Sequence, residues 1–277
     1  IKNVNYETKN VKEYKKDPTS EVFGALGYLT EIDLFKRTNN NFDHFLRPKM
    51  LLRYAPGHMR KEDSNMRLTY LNAFDLDRLS SYNNFESGLS TTLGFDYKIK
   101  SKNKEINFSA AQVVSEKENL NMPSSSSIDQ RFSDVVGENN FKINDNFEIN
   151  YNYALDQNYK DLNYNELETK IDLNPIKFDF GFLQEKKHVG SQEYFKNNIE
   201  FSKDKNTIMS FKTKRNLISN SSEYYDLSYE YLNDCLRAGL VYRREFYNDS
   251  ELEPENSLMF KITLTPFGSI NSPSVVK

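Results

Sequence analysis

The chain has 277 residues, with 37 Lys and Arg set against 40 Asp and Glu, and a net charge of −3 gives no reason to expect a nucleic-acid partner. Only 37% of residues are hydrophobic, which is lean for a thick soluble core, yet 18 Tyr and 20 Phe argue against disorder. No apolar run reaches the roughly 18 residues that a membrane-crossing helix needs, so any crossing falls to strands.

The chain opens at Ile1 without a charged or apolar leader segment and is read as the C-terminal part of a longer protein. Strict alternation predicts about 14 strands, each roughly 10 to 16 residues long, as tilted barrel strands require. The first lies within residues 1–14 and ends at a KKDPTS turn. The second, residues 21–35, puts Val22, Leu26, Tyr28 and Ile32 on one side. The third, residues 44–55, sets Leu46, Pro48, Met50, Leu52 and Tyr54 against Arg47, Lys49, Leu51 and Arg53. Pro48 has no N–H to donate, so pairing is expected to be interrupted there.

Residues 56–85 lose the alternation and read as a long loop, with a short strand at 66–71. Residues 89–99 alternate clearly, a SKNK turn follows, and the next strand covers 105–115. A Ser-rich loop then leads to a short strand at 130–136. Residues 140–155 carry the strongest alternation and are expected to form one strand, entered through a GENN turn. Five strands follow at 161–173, 176–187, 192–202, 206–218 and 222–233, joined by short polar turns as hairpins need. The last two place Leu236, Ala238, Leu240 and Tyr242, then Leu258, Phe260, Ile262 and Leu264, on one face.

The expected fold is therefore all-β: an antiparallel meander forming part of a transmembrane β-barrel, with residues 1–270 in the barrel and 271–277 as a tail. A soluble β-sandwich is the rival, but its strands average nearer 5 to 6 residues. Short turns belong on the periplasmic side of such barrels and long loops outside. This rule places the turn holding Cys235, the one cysteine, in the oxidising periplasm. There Cys235 either ties the barrel to a periplasmic domain outside this chain or stays a free thiol.

Several segments resemble the barrel of the LptD family, the lipopolysaccharide-assembly proteins of Gram-negative outer membranes. They are FLRPKMLLRYAPG, EDSN with NAFDLDRLSSYNNFESG, RFSDVVG, and DCLRAGLVYRREFYNDSELEPENSLMFKITLTPFGSI, in the family's order. Asp234 precedes Cys235 where some members carry a second cysteine, so at most one bridge forms there. The resemblance implies outer-membrane lipopolysaccharide translocation, an LptE-like lipoprotein plug and an LptA-like periplasmic bridge. It implies a lateral seam at the last strand, here Leu258, Phe260, Ile262, Leu264 and Pro266, where Pro266 weakens pairing.

Glu148, Glu168, Lys170, Asp226, Glu230, Arg237, Arg243 and Lys261 are expected to face the lumen, either meeting sugars and phosphates or simply wetting it. His44, His58 and His188 are scattered, no metal-ligand spacing or nucleophile motif occurs, and neither an enzyme nor a cofactor is expected. The alternative function is a generic outer-membrane porin or receptor, which needs neither a plug nor a periplasmic disulfide. A chain lacking the barrel's early strands exposes unpaired edges and is not expected to fold alone.

Overall fold

The computed structural model describes residues 1–8, 11–12, 14–38, 41–79, 81–246, 255–264, 268–271 and 275–276. Strands β1 (Lys2–Tyr6) and β2 (Thr19–Phe23) pair with each other in a sheet of their own. The main sheet contains β3 (Leu26–Glu31), β4 (Leu34–Arg37), β5 (Asp43–Ala55), β6 (Gly88–Ser101) and β7 (Lys104–Ser115). It continues with β8 (Val135–Asn144), β9 (Phe147–Leu155), β10 (Leu162–Leu173), β11 (Ile176–Glu185) and β12 (Gln192–Ser202). Next come β13 (Thr207–Asn216), β14 (Ser221–Leu232), β15 (Leu236–Glu245) and β16 (Glu255–Leu264), followed by the short β17 (Gly268–Asn271) and β18 (Val275–Val276).

Neighbours in the chain are neighbours in the sheet, whose path runs from β3 through β5 in sequence order to β17, with β4 on β5 and β18 on β16. Among the described residues, the only helices are α1 (Tyr70–Ala73) and a 3-10 turn at Ser124–Ser126, and no helix is long and apolar enough to cross a membrane. The all-β antiparallel meander is thus the fold. It departs from the expected strand list in instructive places.

The strongest predicted strand, 140–155, is a hairpin. Backbone pairing stops at Asn144, and the Asn146 N–H bonds back to the Asn144 side chain over 2.8 Å. Asx chemistry makes such turns, and a two-residue turn leaves the apolar phase intact on both sides, so alternation alone cannot reveal it. The GENN segment therefore lies inside β8, and the turn is at 145–146. The predicted strand 21–35 breaks into β2, β3 and β4, and of the described residues among 1–14 only Lys2–Tyr6 is strand. The strand expected at 66–71 is absent; the segment leads into α1 instead.

Pro48 behaves asymmetrically. Toward β6 the register passes through it unbroken, Pro48 opposite Phe95. On the other side β3 pairs up to Glu31↔Lys49 and β4 resumes at Leu34↔Leu46. The Pro48 carbonyl accepts from Ile32 N–H at 3.3 Å, so the missing donor also points that way. The interruption thus falls on the β3–β4 side alone.

The chain packs as two units, Ile1–Asn140 with Asn152–Asn165 and Glu185–Ser191, and Phe141–Tyr151 with Glu166–Gln184 and Gln192–Lys277. In the first unit the long connection between β5 and β6 lies against the polar face of β5, β6 and β7. Gly57 (φ +109°) and Gly88 (φ +113°) take left-handed conformations at its two ends. Gly94 admits it to the sheet: a Cβ there would stand 2.8 Å from Phe74 Cζ and 2.5 Å from the Ala110 carbonyl. Thr92 Oγ1 donates to the Ala73 carbonyl at 2.9 Å, fixing α1 against β6. A small apolar cluster of Phe23, Ala55 and Phe85, joined by Val4 and Ala25, seals the base of the loop.

Candidate functional site

The site is the polar face of the sheet, and its character comes from which side chains are covered. In β5, Arg53 is 1% exposed while Leu52 beside it is 45% exposed. In β14, Asp226 is 7% exposed and Leu227 is 57%. A soluble protein hides the Leu and shows the Arg or Asp. Here Met50, Leu52 and Tyr54 of β5, Leu89, Leu93 and Phe95 of β6, and Tyr225, Leu227, Tyr229 and Tyr231 of β14 are all exposed.

The loop that covers Arg53 supplies partners for its Nε and Nη2. Arg53 donates to the Leu76 carbonyl at 2.8 Å and the Glu86 carbonyl at 2.6 Å, and Nη1 stands 3.5 Å from the Glu86 carboxylate. Arg78, also buried, grips that carboxylate from the other side, through Nε at 2.7 Å and through a second, shorter bond from Nη2, which also reaches Ser90 Oγ at 2.9 Å. One carboxylate thus neutralises two guanidiniums in a water-poor place, where a bidentate arginine contact is at its strongest. Lys49 meets Asp96 at 2.5 Å, and the Tyr70 hydroxyl of α1 donates to the same carboxylate. Burial, with that bond, pushes the Tyr70 phenol well above its usual range.

A second buried group joins the 186–191 connection to residues 116–134. The His188 Nδ1 lies 2.5 Å from the Ser125 carbonyl, so it carries the proton and donates. Nε2 stands 3.1 Å from Asp134 Oδ2 without making a hydrogen bond, and Asn163 donates to that same oxygen at 2.8 Å. Burial holds the imidazole neutral and its pKa down at about 4, against the pull of Glu185 and with the push of Arg67 and Lys187. Burial likewise pushes the Asp134 carboxyl up. Arg67 lies 3.5 Å above the Tyr164 ring and bonds Glu185 at 2.6 Å; sequence reasoning passed over both charged partners because they are 118 residues apart.

In the second unit, Asp226, Glu230, Arg237, Arg243 and Lys261 share the polar face, as the registers Asp226↔Arg243, Glu230↔Gly239 and Gly239↔Lys261 require. Arg243 grips Asp226 through two bonds of 2.7 Å, and Arg237 Nε meets Glu230 at 2.6 Å. Glu168 and Lys170 line a separate concavity. Glu148 is half-buried on β9. On β16, Leu258, Phe260 and Leu264 are exposed and Ile262 is half-buried, while Pro266 lies outside the described residues. The far edge of β16 carries β17 (Ile262↔Ile270) and β18 (Leu258↔Val275). Cys235 is a free, exposed thiol in the tight turn between β14 and β15, its N–H bonded to Asn233 Oδ1 at 3.0 Å. Among the described residues no group of His, Cys, Asp or Glu could hold a metal ion.

A strand meander with its apolar residues exposed and its charges covered has the surface pattern of outer-membrane β proteins. Residues 26–213 match the model of the family "LptD: LPS transport system D", more than half of the chain. The chain belongs to that family, whose work is lipopolysaccharide transport at the outer membrane. No curated protein matches it. Among solved structures, one described as "Asymmetric conductivity of engineered proteins" aligns over 97% of this chain and 90% of that one, with a TM-score of 0.44 and 6% identity, too distant to support an argument.

Proposed function

We propose that the chain is the C-terminal part of a transmembrane barrel that releases lipopolysaccharide into the outer leaflet. Residues 1–270 supply wall and loops, and 271–277 a tail. The observation that carries this reading is the inverted burial: Arg53 and Asp226 covered, Leu52 and Leu227 bare. That pattern suits a wall with lipid on one side and a wet lumen on the other.

The sugar portion travels along the polar face, and the acyl chains leave sideways at β16, past Leu258, Phe260, Ile262 and Leu264, where the short β17 and β18 release its far edge. Pro266 has no N–H to donate, which on this reading loosens the seam. The exposed thiol of Cys235, on the short-turn side, ties the barrel to a periplasmic domain by a disulfide. An LptE-like lipoprotein fills the lumen, and an LptA-like bridge delivers the substrate. Depleting the protein in its native cell and labelling surface lipopolysaccharide tests the reading. Export predicts that newly made lipopolysaccharide disappears from the surface. A porin or receptor predicts unchanged lipopolysaccharide and slower uptake of a small solute, and that result would remove the export role.

A further inference from the structure

The polar face of the second unit holds a concavity of about 380 Å³, lined by Glu168, Lys170, Asp179, Lys196, Asn198 and Lys212 among others. Its charges are treated differently from those around it. Lys214 next door is paired with Glu223 at 2.5 Å, and Arg243 is held by Asp226 at 2.7 Å. Lys170, Lys196 and Lys212 have no carboxylate within ion-pair reach among the described residues. Lys196 and Lys214 flank the Tyr194 ring at 4.7 and 4.6 Å, so one of the two ammoniums beside that ring is left without a counter-charge.

A second feature points to hydrogen-bond donors. Asn198 Nδ2 donates to Asp179 Oδ2 at 2.9 Å, which fixes the amide orientation because a carboxylate accepts only. The Oδ1 of Asn198 is then turned away, buried, and met by no donor. A buried acceptor left open is unfavourable unless something fills it. Three free ammoniums call for an anion; Asn198 Oδ1, Glu168 and Asp179 call for hydroxyl protons. Phosphate alone answers the first demand, and a neutral sugar only the second.

We infer that this concavity is a binding site for a phosphorylated sugar, with Lys170, Lys196 and Lys212 on the phosphate and Asn198 Oδ1 on a sugar hydroxyl. The site deepens the export reading and rests on it for the source of the ligand, a sugar phosphate carried on a lipid. The test uses the full-length protein that contains this chain, purified from its membrane in detergent micelles with ¹³C-methylated lysines, and three probes: glucose 1-phosphate, inorganic phosphate and glucose. Glucose 1-phosphate is expected to shift Lys170, Lys196 and Lys212 saturably, inorganic phosphate more weakly, and glucose not at all.

The Lys196→Gln/Lys212→Gln double variant is expected to weaken glucose 1-phosphate at least tenfold, while Lys212→Arg, which keeps the charge and reports on folding, retains it. Asn198→Ala is expected to abolish the preference for glucose 1-phosphate over phosphate and leave phosphate binding in place. Equal shifts at the exposed Lys102 and Lys117, or undiminished binding in the double variant, would overturn the site. Absent binding together with lost surface lipopolysaccharide on depletion removes the pocket and leaves export standing. Saturable binding with unchanged surface lipopolysaccharide removes export and leaves the pocket.

Discussion

Glu86 is the residue on which the covered loop depends, because its one carboxylate serves both Arg53 and Arg78, and all three are buried. Glu86→Gln keeps the shape and removes the charge, stranding two guanidiniums where water does not reach. Breaking a buried pair in this way costs about 3 to 5 kcal/mol. The variant should therefore lose its folded gel mobility at a distinctly lower temperature than the parent, and an unchanged transition would show that the cluster is wetter than its burial implies. His188 is the other residue with a measurable consequence. Its pKa falls from the ordinary 6.5 to about 4 on folding, so between those values the unfolded chain binds the extra proton and the folded one does not. Stability from this group is present above pH 6.5 and is lost as pH falls toward 4. Asp134, pushed up by burial, works in the opposite sense and offsets part of the loss. The protection factors of the amides at residues 186–191, each rate taken relative to the intrinsic exchange rate at that pH, should fall between pH 7.5 and 4.5, and His188→Gln should flatten that acid dependence.

Among the elements, α1 is the smallest and depends most on its cap. The Thr69 hydroxyl accepts from Asn72 N–H at 3.3 Å, and the Asn72 side chain accepts from Thr69 N–H at 2.8 Å, a reciprocal box on a single turn. Removing the hydroxyl with Thr69→Ala should cost about 1 kcal/mol locally. The expected result is faster exchange at Ala73 N–H, whose acceptor is the Thr69 carbonyl, with β5 and β6 unchanged. This element was invisible in the sequence for a reason that applies to the whole loop: a four-residue helix has no period, and only the capping pair marks it. What was legible was everything governed by period two. The faces of β5, β6, β14, β15 and β16 came from alternation alone, because each strand has one covered and one bare side. The turn in 140–155 was hidden because Asn144 and Asn146 keep the phase while reversing the chain. Of the polar face, the members of β14, β15 and β16 could be chosen by parity. Arg53, Arg78 and Glu86 could not, since their pairing is made by a loop folding back over 33 residues.

For the whole molecule, the decisive quantity is the solvent on the bare side, and two adjacent positions of β15 measure it. Leu240 is exposed on the apolar face beside Tyr229 and Phe260; Val241 points to the polar face beside Ser228 and Met259. The two differ by one residue along the strand, so they share depth, neighbours in sequence and distance from the turns. An arginine costs about 2 to 4 kcal/mol at mid-membrane on a lipid-facing position and far less where it reaches water. Leu240→Arg should therefore lower the folded-to-unfolded ratio in lipid vesicles by a factor of roughly 30 to 800, whereas Val241→Arg should leave it nearly unchanged. In buffer alone the order would reverse: an exposed Leu to Arg change is harmless, and the half-covered Val241 site bears the charge less well. The measurement is reversible folding of the full-length protein that contains this chain into vesicles, scored by heat-modifiable gel mobility for both variants side by side. Equal tolerance at both positions would mean that water bathes both faces, and lipid contact along β15, with the sideways release past β16 that depends on it, would be refuted.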